Sequence, residues 1–351
     1  MAKSGLKFWG RRVLQLAVPV FCAATAAIAE SHGGGISPTN IFAPDSTPAN
    51  SLYHVSVFVL EVLGAIFVVV FSLLAYAVIK FRQRKNDDDF EPPQVYGSNQ
   101  MELAWTVLPV LIVVVLFLST AQVIHRVQDA RRPAGTIEVT AVAHQFWWEY
   151  RYPQYDFVTS NELHVPVSDP GNPTPTYLGL LSADVDHSFW VPRLAGKTDL
   201  IPNHPNTMWI DPQETGLYLG QCSQYCGTQH AKMLLRVYVQ SRDDFDRWVR
   251  QQQQPAVSDP SVAAGSALFI TKACFACHTI RGTPAAGHVG PDLTHLMSRD
   301  TFASGAVPNT PENLRSWVHN PNTFKPGSLM PVPNLTETEQ DQIIAYLLTL
   351  R

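Results

Sequence analysis

The sequence predicts a multi-domain chain: a two-helix transmembrane hairpin, then an all-β domain, then a small all-α domain behind a linker. Three observations carry this. Two apolar runs, 55–79 and 103–124, hold a single charged residue between them, Glu61, and each is long enough to cross a bilayer as a helix. Residues 133–250 alternate apolar and polar side chains in short runs such as Thr136-Ile137-Glu138-Val139-Thr140-Ala141-Val142, broken by Pro and Gly, the pattern of a small β-sandwich or barrel. Further on, 263–269, 311–319 and 336–350 read as helices between Gly/Pro-rich loops.

In chain order, Lys3, Lys7, Arg11 and Arg12 precede an apolar run from Val13 that closes on Ala27-Ile28-Ala29, the form of a cleavable secretory signal over 1–29. The run is short and contains Pro19, which argues against a third membrane helix. Residues 30–50 read as a loop rich in Gly, Pro, Ser and Asn, and 51–132 as the hairpin with its connection. Lys80, Arg82, Arg84 and Lys85 place that connection in the cytoplasm; Arg126, Arg131 and Arg132 pull the other way. The leader and a covalent haem motif decide between them, so the large domains are expected outside a bacterial cytoplasmic membrane. A short helix over 242–250 closes the β domain. Four glutamines followed by Pro, Ala, Ser and Asp make 251–261 a low-complexity linker, expected to behave as a flexible chain before the last domain, 262–351.

With 351 residues the chain has room for two or three domains, and each signal is sought in its own segment. Its 25 basic and 29 acidic side chains leave a net charge of −4, which excludes the concentrated basic face of a nucleic-acid binder. Of five cysteines, four fall in two tight pairs that suit metal and haem chemistry, and Cys22 lies in the leader.

Cys222, Cys226, His230 and Met233 stand within twelve positions: two thiolates, an imidazole and a thioether, a soft donor set that favours copper. His187 offers a second imidazole, giving enough ligands for two metals. A zinc knuckle would not need the methionine, and a disulfide would leave His230 and Met233 unexplained. Cys274-Phe275-Ala276-Cys277-His278 is the C-x-x-C-H haem attachment motif, with two thioether bonds at the porphyrin edge and the histidine on iron. For the sixth ligand Met330, in Lys325-Pro326-Gly327-Ser328-Leu329-Met330-Pro331, competes with Met297.

His187-Ser188-Phe189-Trp190-Val191-Pro192, followed by C-x3-C-x3-H-x2-M, resembles the CuA domain of cytochrome c oxidase subunit II, and the fused haem motif resembles the caa type of that family. The resemblance implies a cupredoxin-like CuA domain and a class I cytochrome c domain. In it Cys222 and Cys226 bridge two coppers, His187 and Met233 complete one, and His230 with the Gln224 carbonyl the other. Met330 resembles the methionine such cytochromes present to haem, and Pro291, in Gly290-Pro291-Asp292-Leu293, the proline whose carbonyl orients the haem histidine. Glu102, in Met101-Glu102-Leu103-Ala104-Trp105, matches a glutamate at the mouth of a proton channel in subunit I.

Two positions depart from the family. Gln224 replaces a glutamate whose carboxylate helps hold magnesium against subunit I, so that ligand is missing. Phe146 stands where a tryptophan commonly takes electrons from soluble cytochrome c. The function implied is electron input to a proton-pumping terminal oxidase that reduces oxygen to water in subunit I, with subunit III as neighbour and a cytochrome c or the bc complex as donor. A relay serving a nitric oxide reductase, and a membrane-tethered redox or copper-carrier protein acting alone, are the alternatives.

Overall fold

The computed structural model describes residues 39–82, 94, 96–128, 132–133, 135–169, 171, 173–257 and 259–351. The expected leader, Cys22, Arg84, Lys85 and Arg131 lie outside the described residues.

Two helices, α1 (Thr47–Lys80) and α2 (Asn99–Gln128), are long and apolar enough to cross a membrane, and their large apolar side chains, Leu73, Ile79, Val113 and Phe117 among them, are exposed. Both run past the apolar stretches. For α1 the reason is a cap supplied from far along the chain: Asp211 accepts from the Thr47 amide at 2.6 Å, the Thr47 hydroxyl at 2.5 Å and the Ser46 hydroxyl at 2.8 Å. A carboxylate there satisfies free amides and complements the helix dipole. Trp209 Nε1 donates to the Val127 carbonyl at 2.8 Å, tying the end of α2 to the same domain.

That domain is a β-sandwich. One sheet orders β1 (Ile137–His144), β2 (Trp147–Tyr152), β3 (Phe157–Ser160), β5 (Thr176–Ser182) and β8 (Asn206–Ile210) as β3-β2-β1-β5-β8. The other, of β4 (Glu162–Pro166), β6 (His187–Trp190), β7 (Thr198–Leu200), β9 (Gly216–Cys222) and β10 (Leu234–Gln240), runs β4-β10-β9-β6-β7. Strict alternation of burial along β10 shows one face turned inward, where Leu235 and Val237 meet Trp148, Leu178, Phe189 and Leu200 in one core. The helix α3 (Arg242–Gln252) packs Phe245 and Val249 against that core.

The linker differs from expectation. Gln251 and Gln252 continue α3; Gln252 is buried, its carbonyl bonded by Arg281. The Ala256 amide donates to Arg281 O at 2.9 Å, and His295 Nε2 lies 3.0 Å from Gln254 O. Composition suggested a loose chain, but polar side chains and backbone from a domain further on hold it in place.

The last domain has helices α4 (Ala263–Thr271), α5 (Pro311–His319) and α6 (Glu337–Leu347) and a small hairpin, β11 (Thr301–Phe302) with β12 (Val307–Pro308). A Cβ on Gly265 would stand 2.0 Å from Gln342 O, so glycine lets α4 and α6 cross closely, with Phe269 edge-on to Tyr346. Thr336 and Glu339 form a capping box at the start of α6. The hairpin lies on the sandwich. The Thr301 amide and hydroxyl both donate to Glu162 at 2.9 Å, the Leu234 amide donates to Ser304 O at 3.0 Å, and Tyr238 donates to Asp300 at 2.6 Å.

Candidate copper and haem sites

The upper ends of β6 and β9 and the loop that follows β9 gather the predicted copper donors. His187 opens β6, Cys222 ends β9, and the chain returns through Cys226 and a turn of 3-10 helix at His230–Lys232 to Met233, just before β10. The two sulphurs are 3.9 Å apart; His187 Nδ1 is 3.8 Å from Cys222 Sγ, His230 Nδ1 3.7 Å and Met233 Sδ 3.9 Å from Cys226 Sγ. The Gln224 carbonyl lies 3.2 Å from Cys222 Sγ. Cys222, Cys226, His187 and Met233 are all buried. All six predicted positions lie at one place, with His187 and the Gln224 carbonyl beside Cys222 and with His230 and Met233 beside Cys226, whereas the resemblance grouped Met233 with His187 and the carbonyl with His230.

The two thiols and the His187 ring are electrostatically linked. The hydrogen bond shared with Cys226 holds the Cys222 thiol well below its usual range, with His187 and the surrounding backbone assisting, while the same sharing raises Cys226. Burial works against a charge on His187, but hydrogen bonds with Asp184 and Cys222 outweigh it and raise the ring. Asp184 Oδ1, 2.8 Å from His187 Nε2, fixes the ring so that Nδ1 faces the sulphurs. The sequence reading missed Asp184, although it stands three residues before His187.

In the second site Ala273, in left-handed backbone, turns the chain into Cys274, and His278 is held from behind by Pro291, whose carbonyl is 2.8 Å from Nδ1. That leaves Nε2 as the free ring nitrogen. A Cβ on Gly290 would come within 2.7 Å of the His278 ring, so only glycine lets this loop close on the imidazole. Burial pulls the His278 ring down, keeping it neutral, as a ligand must be. Met297 packs on the apolar core and its amide donates to Leu350 O at 2.8 Å; Met330 is half-buried in its loop, outside that core.

Between the two sites lies a contact the sequence did not announce. Lys325, buried to 3 % exposure, donates to Phe146 O at 2.9 Å and Ala303 O at 3.0 Å, and burial pushes its ammonium down to about 7 against the opposing pull of Cys226. Gln229 Nε2 donates to Pro326 O at 2.5 Å, and Lys232 Nζ to Phe324 O at 2.6 Å. Glu102 is exposed in the first turn of α2.

A helical hairpin fit for a membrane, a sandwich with a buried dithiolate cluster and a helical domain with a C-x-x-C-H loop together define a membrane-anchored electron-transfer protein. Residues 37–123 match the family described as cytochrome c oxidase subunit II, transmembrane domain, 170–240 its periplasmic domain, and 262–351 cytochrome c. Cytochrome c oxidase subunit 2 of Bacillus sp. (strain PS3) is 34 % identical, covering 77 % of this chain and 80 % of that one; the subunit 2 of Alkalihalophilus pseudofirmus is 31 % identical, covering 88 % and 90 %. The periplasmic domain of cytochrome oxidase subunit II of Bradyrhizobium japonicum is 29 % identical over 35 % of this chain and 97 % of that one, with a TM-score of 0.32. The chain belongs to the cytochrome c oxidase subunit II family, with a fused C-terminal cytochrome c domain. It is part of a haem-copper terminal oxidase, where its role is electron transfer; it spans the membrane twice and carries its folded domains outside the cytoplasm. The family implies CuA and haem c, and both donor sets fit: two thiolates with an imidazole on either side, and a thiol pair followed by an imidazole oriented by Pro291.

Proposed function

We propose that electrons enter this chain at haem c, pass to CuA and leave for the haem-copper site of subunit I, where oxygen is reduced to water with proton pumping. When bound, the copper pair and the haem each accept and release one electron at a time. Everything else is positioning by the protein. Cys222 and Cys226 would bridge the coppers, His187 with Met233 would complete one and His230 with Gln224 O the other. Burial of the sulphurs excludes water, and Asp184 stops the His187 ring from turning. Cys274 and Cys277 would hold the haem edge, His278 and Met330 its iron, and Pro291 the ring of His278; the packing of Met297 in the core supports Met330 as the sixth ligand. Gln224 offers no carboxylate for magnesium. The partners are subunit I, subunit III and a donor such as a cytochrome c or the bc complex, and the membrane is the bacterial inner one.

The observation that carries this reading is the buried pair of sulphurs 3.9 Å apart, each with an imidazole nitrogen within 3.8 Å, in the same chain as a C-x-x-C-H loop. Rapid anaerobic mixing of the purified oxidase with its donor tests it. The haem c band should change first and the copper band follow at a rate independent of donor concentration. Direct second-order reduction of copper, with haem c lagging, sinks the order of transfer. Glu102 is the candidate for proton uptake, and Glu102→Gln should slow proton uptake while haem c and CuA still reduce at the normal rate.

A further inference from the structure

The loop that carries Met330 also packs on the sandwich, against the turn at Phe146 and the loop that carries His230. Lys325 bonds to Phe146 O in the turn between β1 and β2, while Pro326 and Gly327 lie on Gln229 and Thr228 of the loop that carries His230. Gly327 is in left-handed backbone, and a Cβ there would stand 3.0 Å from Thr228 Oγ1, so the Met330 loop packs closely on the Thr228 side chain. Lys325 reaches furthest. Its ammonium is buried with two backbone carbonyls as acceptors, one from each domain. A buried cation without hydrogen bonds is costly, so this one persists only while both carbonyls stay in place. On the flank, Glu162 and Ser304, both buried, add bonds to Thr301 and Leu234. Such an arrangement is a fixed joint.

We infer that Lys325 is a positioning residue that locks the cytochrome domain in one pose on the copper-binding sandwich, with the Gln229–Pro326 hydrogen bond as the bridge between the Met330 loop and His230. This rests on the proposed haem-to-copper order. One electron crosses in each event: the haem side is oxidised by one, the copper side is reduced by one, and no proton or covalent bond changes place. With the pose fixed, distance and coupling are set by the fold, and transfer needs no search by a tethered domain.

The test uses the intact oxidase and photoreduction of haem c, followed by optical detection of copper reduction. In the natural protein the transfer rate should be unaffected by added glycerol or salt. Lys325→Met keeps an unbranched apolar stem and removes the ammonium donor; it should slow transfer about tenfold and make it fall with viscosity. Hydrogen exchange gives a second readout that does not depend on turnover: the Leu234 amide, bonded across the joint to Ser304 O, should exchange faster in Lys325→Met. Gln229→Leu should slow transfer while leaving Leu234 protected. If the natural enzyme already slows in proportion to viscosity, or if Lys325→Met transfers at the normal rate with Leu234 still protected, the lock is refuted. Should Lys325→Met fail to assemble, the viscosity series on the natural enzyme decides. If haem c does not reduce copper in the natural enzyme, the order of transfer falls, and exchange at Leu234 still decides whether Lys325 holds the pose.

Discussion

The copper and haem sites are built in opposite ways. The copper donors hang from the ends of two neighbouring strands and one short loop, over a core containing Trp148, Tyr150, Tyr152 and Phe189, and their sulphurs and imidazoles already touch. The candidate haem ligands sit on loops around a modest cluster built on Phe269, Ile280, Leu296, Leu314 and Ile343. A sheet pair with its own core holds a site in shape unaided; a small helical domain depends on its prosthetic group to complete the interior.

The largest expected effect breaks that contrast if it fails. Replacing both Cys274 and Cys277 by Ala should melt the cytochrome domain, seen as lost hydrogen-exchange protection in Glu337–Leu347, with the copper signal retained. Stripping copper with a chelator should leave the sandwich protected throughout. Protection of Glu337–Leu347 without attached haem would mean that the helices suffice. Next, Cys222→Ser should abolish the delocalised copper EPR signal and leave the haem c spectrum as it was. Survival of an unchanged hyperfine pattern would remove the bridging role.

A finer cut separates the two methionines. Met330→Ala should lower the haem potential, since a thioether favours ferrous iron, with little loss of stability. Met297→Ala should do the reverse, costing about 2 kcal/mol of domain stability at an unchanged potential, because it packs on the core. Redox titration and chemical unfolding of the two variants decide. The smallest effect concerns the sandwich. His164, stacked between Tyr238 and Trp248, has its ring pulled by burial from 6.5 to about 4. Neutral in the fold, it takes up a proton first in the unfolded chain. Stability is therefore full above pH 6.5 and falls towards pH 4, by at most about 1.4 kcal/mol per pH unit. Unfolding of the sandwich followed by tryptophan fluorescence should show this slope, and His164→Phe should flatten it.

That the candidate copper donors come together was legible because their spacing is local: a C-x3-C-x3-H-x2-M run brings its side chains to one loop. The membrane helices were legible from length and apolar content. Pairing was not. Alternation in β1 and β10 marks strands but not that they run parallel to β5 and β4, which depends on residues far along the chain. The linker was misread for the same reason, since Arg281 and His295, which hold it, belong to the next domain. Lys325 stood in a segment singled out for Met330, and its own spacing gives no sign that it crosses to Phe146.

Asp211 sets an order of biosynthesis. The first turn of α1 takes its cap from a residue 164 positions later, at the end of a strand that leaves the ribosome only after both apolar helices. Those helices can therefore enter the bilayer before the extracytoplasmic sandwich exists, but the opening turn of the first lacks the Asp211 acceptor until β8 has been exported. Maturation of the anchor thus ends outside the membrane, and a nascent chain stalled before Asp211 would carry an uncapped α1 open to proteases on that side.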